Sequence, residues 1–68
     1  MANWQAVYKD GSEHRVTIVR DVLVDRDLEA IILNKKDSHH GFGYLEVQVP
    51  ADHVILALKI IEEEIHFE

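Results

Sequence analysis

Hydrophobic and polar positions along the chain fall into five stretches whose periods differ. Trp4, Ala6 and Tyr8 alternate with Gln5, Val7 and Lys9, a period of two that predicts a first strand ending near Lys9, with Trp4, Ala6 and Tyr8 on one side. Asp10, Gly11 and Ser12 then supply a turn. Either the Ser12 or the Asp10 side chain is placed to accept hydrogen bonds from the open amides of a following helix, and Glu13 adds a negative charge to its first turn.

From Glu13 to Arg26, the β-branched residues Val16, Thr17, Ile18, Val19, Val22 and Val24 favour strand by propensity. Period decides for a helix. At about 100° per residue, Val16, Ile18, Val19, Val22 and Leu23 share one side while His14, Thr17, Arg20, Asp21 and Asp25 share the other. A strand would send Val16 and Val19 to opposite faces. Asp27 is where the chain must leave the helix, in a left-handed conformation that Asp tolerates better than most residues, though less well than Gly.

Leu28 to Leu33, with Ala30, Ile31 and Ile32 in sequence, is a short apolar run that reads as a buried central strand. After a polar connection from Asn34 to Gly43, Leu45, Val47 and Val49 alternate with Tyr44, Glu46 and Gln48, the mark of a half-exposed third strand paired with the second. Pro50 ends it and sits where a helix can begin, with Asp52 as an early acid. The second helix is predicted from about Asp52 to Ile65, with Val54, Ala57, Leu58, Ile61 and Ile65 as its core stripe. Leu56, Ile60 and Phe67 are read as a second stripe on its far side, which is either a subunit interface or a contact with the sheet edge or N-terminal strand.

Composition narrows the class. A chain of 68 residues makes one domain, residues 1–68, and hides only about 60% of the surface of its unfolded form. Without cysteine it has neither a disulfide staple nor a thiolate metal site, so stability must come from packing or self-association, and a homo-oligomer is expected. With 47% hydrophobic and 29% charged residues it is a folding sequence. A net charge of −6 and pI near 5.2 argue against general affinity for nucleic acid or anionic lipid. No signal-peptide pattern opens the chain, and no apolar run approaches the roughly 20 residues that span a bilayer. The expected compartment is the cytoplasm.

Chemistry-bearing residues are few. Lys35 and Lys36 are adjacent cations, and Asn34, Ser38 and the amides near Gly41 and Gly43 have the donors an anion or nucleotide site needs. No Walker pattern accompanies them. The plainer reading has Asn34 and Asp37 closing the connection by side-chain to backbone bonds, with solvated lysines. His39 and His40 are neighbours that diverge in extended chain, and His14, His53 and His66 are scattered, so surface histidines are expected and no metal or other cofactor. Glu62, Glu63 and Glu64 are consecutive on a helix and diverge as well. Nothing here points to an enzyme.

The run NW near the start, TIVRDVL in helix one, AIILNKKDS, and GYLEVQVP before a helix together resemble the small prokaryotic signal transducing protein family, a domain of unknown function. The resemblance covers nearly the whole chain. Its most specific part is LNKKDS followed by a glycine and a VP-terminated strand; Asp27 departs from the usual helix-ending glycine, and His39 and His40 occupy variable positions. It implies an α+β fold of β-α-β-β-α order similar to the ferredoxin-like fold and to the PII nitrogen-signalling proteins, with two helices on one face of an antiparallel sheet. In PII proteins the connection between the second and third strands is the effector loop. The resulting expectation is a non-enzymatic regulatory or interaction module with an unknown protein partner, contacting it through residues 34–43, chiefly Asn34, Lys35, Lys36, Asp37 and Ser38. The alternative is a small-ligand sensor binding an anion or nucleotide there.

Overall fold

The computed structural model describes residues 3–37 and 42–67. Strand β1 (Trp4–Asp10) leads to helix α1 (Glu13–Asp25), strands β2 (Ile31–Asp37) and β3 (Phe42–Pro50), a 3₁₀ turn (Ala51–His53) and helix α2 (Val54–Glu64). The three strands lie in the order β1-β3-β2, with β3 antiparallel to both neighbours. The architecture is therefore α+β. α1 has to cross over β3, because β1 and β2 run the same way on its two sides.

Both helices pack on one face. Leu45, Val47 and Val49 alternate toward it, and Val47 and Val49 share a core with Val16, Val19 and Leu23 of α1, with Leu28, and with Ala57 and Ile60 of α2. Each fully buried Val or Leu in such a cluster stabilises by about 1.5–3 kcal/mol before cavity effects. Helix α1 buries the stripe its period predicts at Val16, Val19 and Leu23, with Val22 against the cluster's rim, while Ile18 falls outside it.

Three expectations are corrected. The apolar run at Leu28–Leu33 is not the central strand: β2 begins only at Ile31 and lies on the edge, and β3 occupies the centre. Alternation in β1 breaks at Val7, where the register with β3 slips so that Ala6 pairs with Gln48 but Tyr8 with Val47. The extra residue turns both Val7 and Tyr8 toward the core and leaves Trp4 and Ala6 on the other face. In α2, Ile60 is 7% exposed and belongs to the core, whereas Leu58, assigned to the core stripe, is 47% exposed. The stripe centres on Ala57, and Leu56 and Leu58 flank it on either side.

Polar caps fix how the helices leave the strands. Ser12 takes extended backbone (φ −94°, ψ 115°) and its Oγ accepts from the Arg15 amide at 3.3 Å, as an N-cap should. Asp10 organises the same corner. Its carboxylate accepts from Arg15 Nε at 2.6 Å and Nη2 at 2.9 Å, from the Tyr8 hydroxyl at 2.6 Å and from the Ser12 amide at 2.9 Å. The Arg15 guanidinium first, then the Tyr8 hydroxyl and Ser12 amide, hold this carboxyl well below the usual carboxylate range. Tyr8 in turn packs against Phe67, ring centroids 6.1 Å apart, which ties the segment after α2 to β1.

At the far end of α1, Asp27 adopts φ 66°, as its position predicts. The Leu28 amide donates to Leu23 O and the Asp27 amide to Val24 O, both at 3.0 Å. These are the paired bonds of a Schellman stop, and the Leu23–Leu28 pair is buried beside it. Arg26 pairs with Glu64, joining the ends of the two helices. Among the described residues, no helix is long and apolar enough to cross a membrane.

Two outcomes follow. Asp27→Gly removes the Cβ penalty of the left-handed region and is expected to stabilise by about 0.5–1 kcal/mol, raising Tm by a few degrees in a thermal melt; a fall would mean that the Asp27 carboxylate outweighs the strain. For Asp10 the sign follows from a pKa lowered on folding. Its contribution is complete above the unfolded value of about 3.9 and is lost as the pH falls from there through the folded value. Melts of the protein and of Asp10→Asn should therefore differ at neutral pH and converge below about pH 4. A difference that does not change with pH would contradict the pairing.

Candidate functional site on the open face of the sheet

Both helices need the same face, and among the described residues no element covers the other face of the sheet. Strand register sorts its side chains into four rows: Trp4 beside Pro50; Ala6, Gln48 and Ile31; Lys9, Glu46 and Leu33; and Tyr44 beside Lys35. Residues aligned this way are neighbours across the strands. Ile31 and Tyr44 are 38% and 40% exposed, Ala6 is exposed, and Trp4 and Leu33 are half-buried. The surface is apolar at its margins and polar at its centre.

That centre is Glu46, the one buried charged residue among those described, at 6% exposure. Its row explains the burial. The Lys9 stem lies on one side and Leu33 on the other, and long side chains cover a short-spaced neighbour. Gln48 Nε2 donates to Glu46 Oε1 at 2.9 Å. Lys9 Nζ stands 3.8 Å from Oε2, close enough for charge attraction and too far for a hydrogen bond. The same ammonium lies 6.0 Å from the centre of the Tyr44 ring. Among the described residues, no hydrogen bond is donated to Oε2.

The residues expected to form a contact loop are arranged differently. Asn34, Lys35, Lys36 and Asp37 are strand residues, paired with Leu45, Tyr44, Gly43 and Phe42, so the expected connection of 34–43 contracts to 38–41. The reason is that the ladder is made by backbone. Polar side chains end an apolar run in the sequence without ending the pairing of an edge strand. Asn34 and Lys35 are exposed and, being consecutive, face opposite sides of the sheet, so they are not brought together around one anion. Ser38, His39, His40 and Gly41 lie outside the described residues.

The expected oligomer stripe also separates. Leu56 is 48% and Phe67 40% exposed, while Ile60 is in the core, and Phe67 lies on Tyr8. Among the described residues no three metal-ligating side chains converge, and no pocket opens. His53 Nδ1 is buried without a hydrogen-bond partner, at the turn that precedes α2.

Sequence reasoning places Tyr44, Glu46 and Gln48 on the outer side of β3 and misses that Glu46 is covered, because coverage depends on which residues of β1 and β2 share its row. One signal does point to this face: both predicted helices carry an apolar stripe that can dock on the side of the sheet to which Leu45, Val47 and Val49 alternate. Compared with known proteins, the chain matches no family model, no curated protein and no solved structure.

Proposed function

We propose that this chain is a non-enzymatic interaction module of the signal transducing kind that its sequence resembles, working in the cytoplasm by protein contact through the open face of its sheet. The observation that carries this is the face itself: Trp4, Ala6, Ile31, Leu33 and Tyr44 present apolar area around a covered carboxylate. Contiguous exposed apolar area is a usual mark of a contact site, and here it surrounds a polar centre at Glu46 and Gln48. The ferredoxin-like, PII-like reading of the fold is supported by the β1-α1-β2 crossover over an intervening β3 and the β2–β3 hairpin, which match the leading elements of that arrangement. One fold serves many functions, so the role is argued from the face. Of the residues 34–43 expected to make contact, Lys35 joins this surface through its place beside Tyr44.

Site-specific photo-crosslinking in cells tests the reading. A photoreactive amino acid in place of Leu33 or Tyr44 is expected to give discrete higher-mass adducts, and the same group in place of Ile55, which is 85% exposed on α2, none. Adducts from Ile55 alone, or from no position on the sheet, would overturn the proposal.

A further inference from the structure

We infer that the open face is where two copies of this chain meet, sheet against sheet about a two-fold axis. This rests on the reading of that face as a contact surface and adds its occupant.

The edges of the sheet are guarded and its face is not. β1 carries a bulge at Val7 and the charge of Lys9, and β2 carries that of the exposed Lys35. Bulges and edge charges of this kind discourage strand addition. A partner therefore covers the face in preference to extending the sheet. The protomer is flat: its extents are 35 × 35 × 15 Å and its radius of gyration is 12.1 Å, against about 11 Å for a compact chain of this length.

Charge favours this face over the rest of the surface for contact with a second copy. The chain carries −6 overall, which sets copies to repel one another. Among the described side chains of this face, however, the charges are Lys9 and Lys35 on the outer strands and Glu46 on the central one. The face thus carries +1 where the chain as a whole carries −6, so two copies that meet here avoid most of that repulsion.

The rows are also self-complementary. Take a two-fold axis lying between the two sheets, across the strands, and passing between the Glu46 row and the Gln48 row. It sets each Leu33 against the other copy's Ile31, and each Glu46 against the other copy's Gln48. The Tyr44 row then meets the row of Trp4 and Pro50. Apolar residues meet apolar ones on β2, and on β3 each carboxylate meets an amide donor. An isologous contact requires this kind of self-matching. Aligned sheet packing rotates the strands by about 30°, which moves the rows obliquely and keeps these pairs as neighbours.

Four rows on three strands spaced about 4.8 Å apart make a small interface, at the weak end of specific contacts. Association is thus expected to be weak and to depend on concentration, and to be sought between about 10 μM and 1 mM of chain.

Sedimentation equilibrium of the purified chain across that range, with NMR spectra to confirm folding, tests the inference. The mass should rise from one protomer toward two. Ile31→Lys and, separately, Tyr44→Lys should weaken the association about tenfold or more, while Ile55→Lys on α2 leaves it unchanged. If the unaltered chain has the mass of one protomer at every concentration, the second copy is overturned, and the contact surface still stands or falls on the crosslinking. If the mass doubles but is insensitive to both sheet variants and lost in Leu56→Glu, the interface belongs to α2 and the inference fails.

Discussion

Val47 and Val49 are completely buried on the central strand, and both helices are drawn to the side on which they stand. Helix α1 brings Val16, Val19 and Leu23 to them, and α2 brings Ala57 and Ile60. A short chain has one core to build, and here every helical stripe is spent on the same face. Among the described residues, the other face is left without a covering element. Removing a methyl group from Val47 or Leu23 would be felt throughout, because so few residues share the burial.

The polar features make sense as supports for this one-sided core. Asp10 gathers Tyr8, Ser12 and Arg15 at the corner where β1 turns into α1, so that α1 starts at the angle its stripe needs. Asp27 ends the same helix and lets Leu28 fold back beside Leu23. Arg26 and Glu64 fasten the helix ends together. All of these act at the boundary between local structure and packing. The two aspartates keep carboxylates at positions where hydrogen bonding or backbone conformation, and not burial, decides the residue type.

Much of this was legible. The period of Val16, Val19 and Leu23 outweighed a β-branched composition, and the left-handed turn at Asp27 followed from where the helix had to stop. The alternation of Leu45, Val47 and Val49 gave the third strand its faces. What escaped depended on partners distant in sequence. Ile60 reaches the core because the stripe of α2 centres on Ala57, an origin set by how the helix docks. The continuation of β2 through Asn34 and Lys35 is a property of its backbone pairing with β3. The bulge at Val7 is a slip between two strands, invisible in either one. The covering of Glu46 needed the row it shares with Lys9 and Leu33.

Glu46 is where stability and the proposed contact pull apart. A carboxylate at 6% exposure in the middle of a strand whose neighbours are Leu33 and a lysine stem does little for an isolated sheet, and replacing a covered ion pair by a well-packed apolar residue is commonly neutral or stabilising. A residue kept for contact is expected to carry such a cost. Urea denaturation of Glu46→Val, at a concentration low enough for the chain to be a single protomer, measures this directly. The account predicts a variant as stable as the unaltered chain or up to about 1 kcal/mol more stable; a loss of more than about 1 kcal/mol would show that the carboxylate holds the sheet itself together and would contradict a face built for contact.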